Sequence, residues 1–116
     1  MKIKELEISV ADAASALIKM AEDNIIMLGP VVKNNNVHGP YFTAVTKRGN
    51  TISIRLLMGG TPVRDALCTE LIASQTQGLV IHHFSDEMDM AEMCAATWPC
   101  DKSQRIRNAV RRERMN

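Results

Sequence analysis

The sequence predicts an α+β fold: a small antiparallel sheet containing a β-hairpin at about residues 41–58, packed against amphipathic helices and followed by a basic C-terminal helix. Two patterns carry this expectation. Apolar residues recur at helical spacing at Val10, Ala13, Ala14, Leu17, Ile18 and Ala21, and again at Val63, Ala66, Leu67, Leu71 and Ile72. Between them, "YFTAVTKR" and "TISIRLLM" are rich in β-formers and are separated only by Gly49-Asn50. A two-residue loop beginning with glycine between two such runs is a strong hairpin signal.

Taken in order, Ser9 with Asp12 has the character of a capping box and opens a helix over 9–22, which Glu22-Asp23-Asn24 ends. "NIIMLGPVV" reads as a strand interrupted at Gly29-Pro30, because proline cannot donate to a ladder and marks an edge or a bend. "NNNVHGP", residues 34–40, gathers turn formers and is expected to be an exposed loop. In the hairpin's second run Ile52, Ile54 and Leu56 share one face and Thr51, Ser53 and Arg55 the other, so one face is expected to be covered and the other wetter. Gly59-Gly60 is a turn, with Thr61 as N-cap and Pro62 opening a helix over 62–75. "GLVIHHF" is a short strand. Ser85 then caps a third helix with Asp86, Glu87 and Asp89 in its first turns, and Trp98-Pro99 stops it. Asp101 with Gln104 starts the final helix. The resulting order, α-β-β-β-α-β-α-α, places helices on one face of the sheet.

A chain of 116 residues with 46% apolar and 23% charged residues fits one globular domain, read as residues 1–100, with 101–116 as a basic helix or tail. It holds no apolar run long enough to span a membrane, and "MKIKELEIS" lacks the apolar core of a secretory signal. Three cysteines without a CxxC pair fit reduced thiols, so a cytoplasmic location is expected. Charge is unevenly spread. Residues 1–100 carry 8 Lys and Arg against 11 Asp and Glu, whereas 101–116 carry 6 against 2.

The segment "GLVIHHFSDEMDMAEMCAATWPC" concentrates histidines, carboxylates, cysteines and the single tryptophan. Its geometry argues against a metal centre. His82 and His83 are adjacent in a strand and point to opposite faces, and Cys94 and Cys100 lack the close spacing of zinc ligands. A thiol enzyme would use Cys68 as nucleophile, His82 or His83 as base and Asp86 as orienter. Against it, Cys68 lies near the apolar stripe of its helix, where a small buried thiol is a common filler. No glycine-rich phosphate loop, nucleophile elbow or paired-carboxylate motif is present. No catalytic residue, metal or cofactor is therefore assigned, and an enzyme is not expected.

The tail "DKSQRIRNAVRRERMN" sets a narrow apolar strip, Ile106, Ala109 and Val110, among arginines. Arg105, Arg107, Arg111, Arg112 and Arg114 suit phosphate neutralisation, making nucleic acid an alternative partner; alternatively they meet the chain's own Asp86, Glu87, Asp89 and Glu92. Lys47-Arg48, Arg55, His38 and Tyr41 read as hairpin-tip, strand or loop residues. Met90 and Met93, with the apolar Trp98, give helix three an apolar girth suited to a sandwiched position or to covering a partner. The leading expectation is a small intracellular, non-enzymatic interaction protein, an inhibitor or modulator of a macromolecular complex. It is expected to be a homodimer or to bind a protein partner through Met90, Met93, Trp98 and the five arginines.

Overall fold

The computed structural model describes residues 9–33, 39–74 and 78–115. The expected loop at 34–40, including His38, lies mostly outside the described residues, as do residues 1–8 and Gln75. The strand β1 (Ile25–Leu28) fixes the architecture, because Ile26, Met27 and Leu28 are each 0% exposed. Successive strand side chains point to opposite faces, so a strand buried along its length needs cover on both.

Two more strands, β2 (Tyr41–Arg48) and β3 (Thr51–Met58), form the expected hairpin, in unbroken antiparallel register from Tyr41↔Met58 to Arg48↔Thr51. Gly49 closes it with φ 63°, a left-handed conformation that suits the first central residue of a tight hairpin turn. The helices are α1 (Val10–Met20), α2 (Thr61–Ala73), α3 (Glu87–Thr97) and α4 (Asp101–Met115), and β4 (Val80–His83) precedes α3. The predicted order is therefore the observed one.

The sheet runs β3-β2-β1-β4, and it is mixed rather than wholly antiparallel: β4 lies parallel to β1, from Ile25↔Val80 to Leu28↔His83. The reason is topological. Two antiparallel steps leave β3 running in the direction of β1, and α2 carries the chain back across the sheet, so that β4 starts again in that same direction. On one face α1 and α2 bury Leu17, Leu67 and Leu71 against Ile26, Leu28, Phe42 and Leu57. On the other, Met90, Cys94 and Trp98 pack on Met27, Val45 and Ile52. Helices thus cover both faces, correcting the one-face expectation. The long apolar runs of α3 are explained by this second layer.

Local signals held, with shifts of one residue. Ser9 Oγ accepts from Asp12 N at 3.0 Å, as expected of an N-cap. For α2 the N-cap is Gly60, not Thr61, with Pro62 in the first turn. For α3 it is Asp86, not Ser85, and its carboxylate accepts from Met88 N at 2.7 Å. At α4 the expected Asp101/Gln104 box is replaced by a reciprocal pair: Cys100 N donates to Ser103 Oγ at 3.2 Å, and Ser103 N donates to Cys100 Sγ at 3.5 Å. The geometry is that of a capping box with a thiol in the hydroxyl's place.

β1 ends at Leu28, Gly29 N still donates to Thr43 O at 2.8 Å, and the ladder breaks at Pro30 before the isolated bridge Val32↔Tyr41, the interruption expected at Gly29-Pro30. Gly29 also lets α3 approach. A Cβ at that position would stand 2.7 Å from Thr43 Oγ1 and 2.8 Å from Met90 Sδ. Gly29→Ala should therefore overpack this junction and cost about 1–3 kcal/mol in a urea unfolding experiment. A variant as stable as the parent would show that α3 does not seat on the sheet this closely.

Candidate protein-docking surface

The helices α3 and α4 form an antiparallel pair zipped by the charges that make the sequence look divided. Arg111 grips Glu92 with two bonds, Nε to Oε2 at 2.7 Å and Nη2 to Oε1 at 2.9 Å. Arg114 pairs with Asp86. Hydrogen bonding from Arg114, and then from the Met88 N–H, holds the Asp86 carboxyl below the usual carboxylate range. Arg107 donates to Gln104 of its own helix. Arg105 and Arg112 are exposed and make no ion pair among the described residues. Two of the five arginines thus meet acidic residues of α3, the alternative weighed for the tail.

The apolar residues of α3 are largely spent on the core. Met90 is 7% and Trp98 4% exposed, and the Trp98 indole N–H donates to Asp23 Oδ2 at 2.7 Å. Ala91 and Ala95 are also buried. Met93, 39% exposed, is the one of the three proposed apolar contacts that faces outward.

The surface that the sequence did not single out lies between α4 and the sheet. The start of α4 is anchored: Ser103 is buried with its hydroxyl donating to Trp98 O at 2.7 Å, and Lys102 Nζ donates to Ile52 O at 3.1 Å. Farther along, helix and sheet diverge around a wedge of about 520 Å³, floored by Tyr41, Val45 and Ile54 and roofed by Ile106 and Val110. Ile52 is covered, whereas Ile54 and Leu56 on the same face remain 41% and 36% exposed. A sequence signal existed. Ile106, Ala109 and Val110 make too short a strip to roof the whole apolar face of β3. Glu87 and Glu113 line the wedge where α3 begins and α4 ends. Lys102, bonded to Ile52 O, and Lys47, opposite Ile52 in the ladder, flank that residue without lining the wedge themselves.

The thiol candidates divide by environment. His82 and His83 do face opposite sides: His82 stacks on Phe84 at 6.2 Å, while His83 Nδ1 lies 3.6 Å from Cys68 Sγ. Asp86 is engaged with Arg114 and the α3 cap, so it does not serve that pair. Burial pushes the Cys68 thiol up, only partly offset by Arg64, so the protonated form is favoured. A second cavity, about 430 Å³, adjoins His83 and Arg64 but is not lined by Cys68. The Arg64 guanidinium instead ties the ends of the parallel strands, donating to Gly29 O, Leu28 O and Phe84 O at 2.8, 3.3 and 3.2 Å. Cys94 is pushed up to about 11 by burial, and Ser103 lowers Cys100 through hydrogen bonding. Among the described residues no group of three or more His, Cys, Asp or Glu is placed to hold a metal ion, and no helix is long and apolar enough to cross a membrane.

Two outcomes follow from these environments. Iodoacetamide near neutral pH should modify Cys100 well before Cys68 or Cys94, as read by peptide mass spectrometry; equal rates would contradict the burial described. The native Asp86 titrates below its unfolded value of about 3.9. Its contribution to stability is therefore complete above that value and lost as pH falls through the native one. Asp86→Asn should flatten the acid limb of a stability-against-pH curve, and an unchanged limb would remove the Arg114 pairing from the account.

No family model, curated protein or solved structure matches this chain.

Proposed function

We propose that this protein is a non-enzymatic docking module that binds a protein partner and thereby modulates the complex to which the partner belongs. The observation that carries this reading is the open wedge between α4 and the sheet, where Ile54, Ile106 and Val110 present apolar surface in a concave site. Its polarity supports an occupant of defined chemistry. Glu87 and Glu113 line the wedge, and Ile52, which also lines it, is flanked by Lys47 and Lys102. An apolar peptide segment with a basic end over the glutamates and an acidic end over the lysines complements both the floor and the rims.

The chemistry elsewhere points the same way. Cys68 is kept protonated beside His83 and lies off the nearest cavity, which gives a thiol enzyme little support. Free Cys68, Cys94 and Cys100 fit a reducing compartment, so the partner is sought in the cytoplasm. Nucleic acid is the weaker alternative. Arg111 and Arg114 are engaged with Glu92 and Asp86, leaving a smaller basic surface around Arg105 and Arg112.

Peptide selection from a random displayed library against the full chain tests the reading. Selected peptides should share a short apolar core with basic and acidic ends, and Val110→Asp should weaken them by about tenfold or more, since the new carboxylate would be desolvated under the ligand. Peptides without such a pattern, or peptides indifferent to Val110→Asp, would overturn it. So would tight, steeply salt-dependent binding to labelled DNA or RNA, lost when the chain is ended at Cys100.

A further inference from the structure

Among the described residues the outer strand β3 is a regular edge, met only by Lys102 at Ile52 O. All eight of its residues pair with β2 without a bulge, and it contains no proline. Edge strands are ordinarily blunted by such features, or by charges. Here the single charge is Arg55, whose side chain lies on the α1 face, with Nη1 3.4 Å from Met20 Sδ. The opposite outer strand, β4, has only four residues.

Which backbone groups β3 offers follows from its turn. A two-residue hairpin loop makes Arg48 and Thr51 a hydrogen-bonded pair, so Thr51, Ser53, Arg55 and Leu57 direct their N–H and C=O groups to β2. The bond from Gly59 N to Pro40 O at 2.9 Å continues that pattern. Ile52, Ile54 and Leu56 therefore direct theirs outward. The Lys102 ammonium on Ile52 O agrees with this, while the outward groups of Ile54 and Leu56 have no backbone partner among the described residues.

The strand also complements itself. Antiparallel pairing about a two-fold axis at Ile54 sets Ile54 opposite itself, Ile52 opposite Leu56, and Ser53 opposite Arg55. The apolar residues then meet on the wedge face, and each guanidinium meets a hydroxyl. Centring the axis on Arg55 would instead set two guanidiniums directly opposite, which is destabilising. Ile52 O has two lone pairs, so Lys102 and a new strand partner can both be accommodated. We propose that the β3 edge pairs in this register with β3 of a second copy of the chain, forming a continuous eight-stranded sheet. The axis is normal to the sheet, so both wedges open on the same side and flank the seam. The dimer is then bivalent, and its existence does not depend on what the wedge takes.

Sedimentation velocity on the full chain across a range of concentrations should show a two-chain mass, and amide exchange should show protection at Ile54 and Leu56. Ile54→Lys sets two ammonium groups at the axis and should give a monomer with those amides unprotected. Because Ile54 is already 41% exposed, its circular dichroism should match the parent's. Val110→Asp, in the wedge, should keep the two-chain mass. A monomer at every concentration would overturn the proposal. So would a dimer whose Ile54 and Leu56 amides exchange freely, or one dispersed by Val110→Asp and not by Ile54→Lys. The amide measurement on the unmodified chain stands even where a variant fails to fold.

Discussion

The burial of β1 on both faces is the constraint from which the rest of the structure follows. Four residues, Ile25–Leu28, present apolar side chains alternately up and down with no polar face to give to water. Such a strand is stable only with cover above and below, and with strands on both edges to satisfy its backbone. The hairpin supplies one edge through Met27↔Val45, and β4 supplies the other. Putting β4 there requires a crossover. The helix that makes it also brings Arg64 over the carbonyls of Leu28, Gly29 and Phe84 at the ends of β1 and β4. The tie is local, but the need for it is set by the parallel pair.

The elements were legible in the sequence because each has a short-range cause. The α1 cap, the Gly49 turn, the Gly29-Pro30 break and the Trp98-Pro99 stop depend on a few neighbouring residues. The layers were not legible in the same way. "IIML" is compatible with burial on one face or two, and nothing in its own residues decides between them. That decision rests with Met90, Cys94 and Trp98, more than sixty residues away, whose apolar character suits a partner's surface as well as the sheet they in fact cover. The one-residue shifts at the caps have a simpler cause. Asp86 and Ser85 are both good N-caps, and the chain's exit from β4 selects between them.

The charge asymmetry was visible as a count but not as a contact. An acidic segment followed by a basic one suits a tail reaching for phosphate, and it equally suits an antiparallel helix pair whose charges face each other. Trp98-Pro99 favours the second arrangement by turning the chain sharply, so that Glu92 and Asp86 lie opposite Arg111 and Arg114. These are exposed pairs, and their weight in stability is small. Their larger effect is on register. They set how far α4 slides along α3.

The seating of α4 also decides which part of β3 is covered. Because Ser103 and Lys102 pin the start of α4 near Ile52, the helix covers the beginning of β3 and leaves Ile54 and Leu56 uncovered farther on. The wedge is a consequence of this anchoring, whereas β3 is an edge because it is the last strand of the sheet. A longer apolar strip on α4 would seal the wedge with the helix itself. Ile106 and Val110 instead face a gap. Burying apolar surface of this kind stabilises by roughly 25 cal/mol per Å², so the free chain forgoes stability by leaving it open. The uncovered half of β3 is thus apolar surface that the chain's own described elements leave unburied.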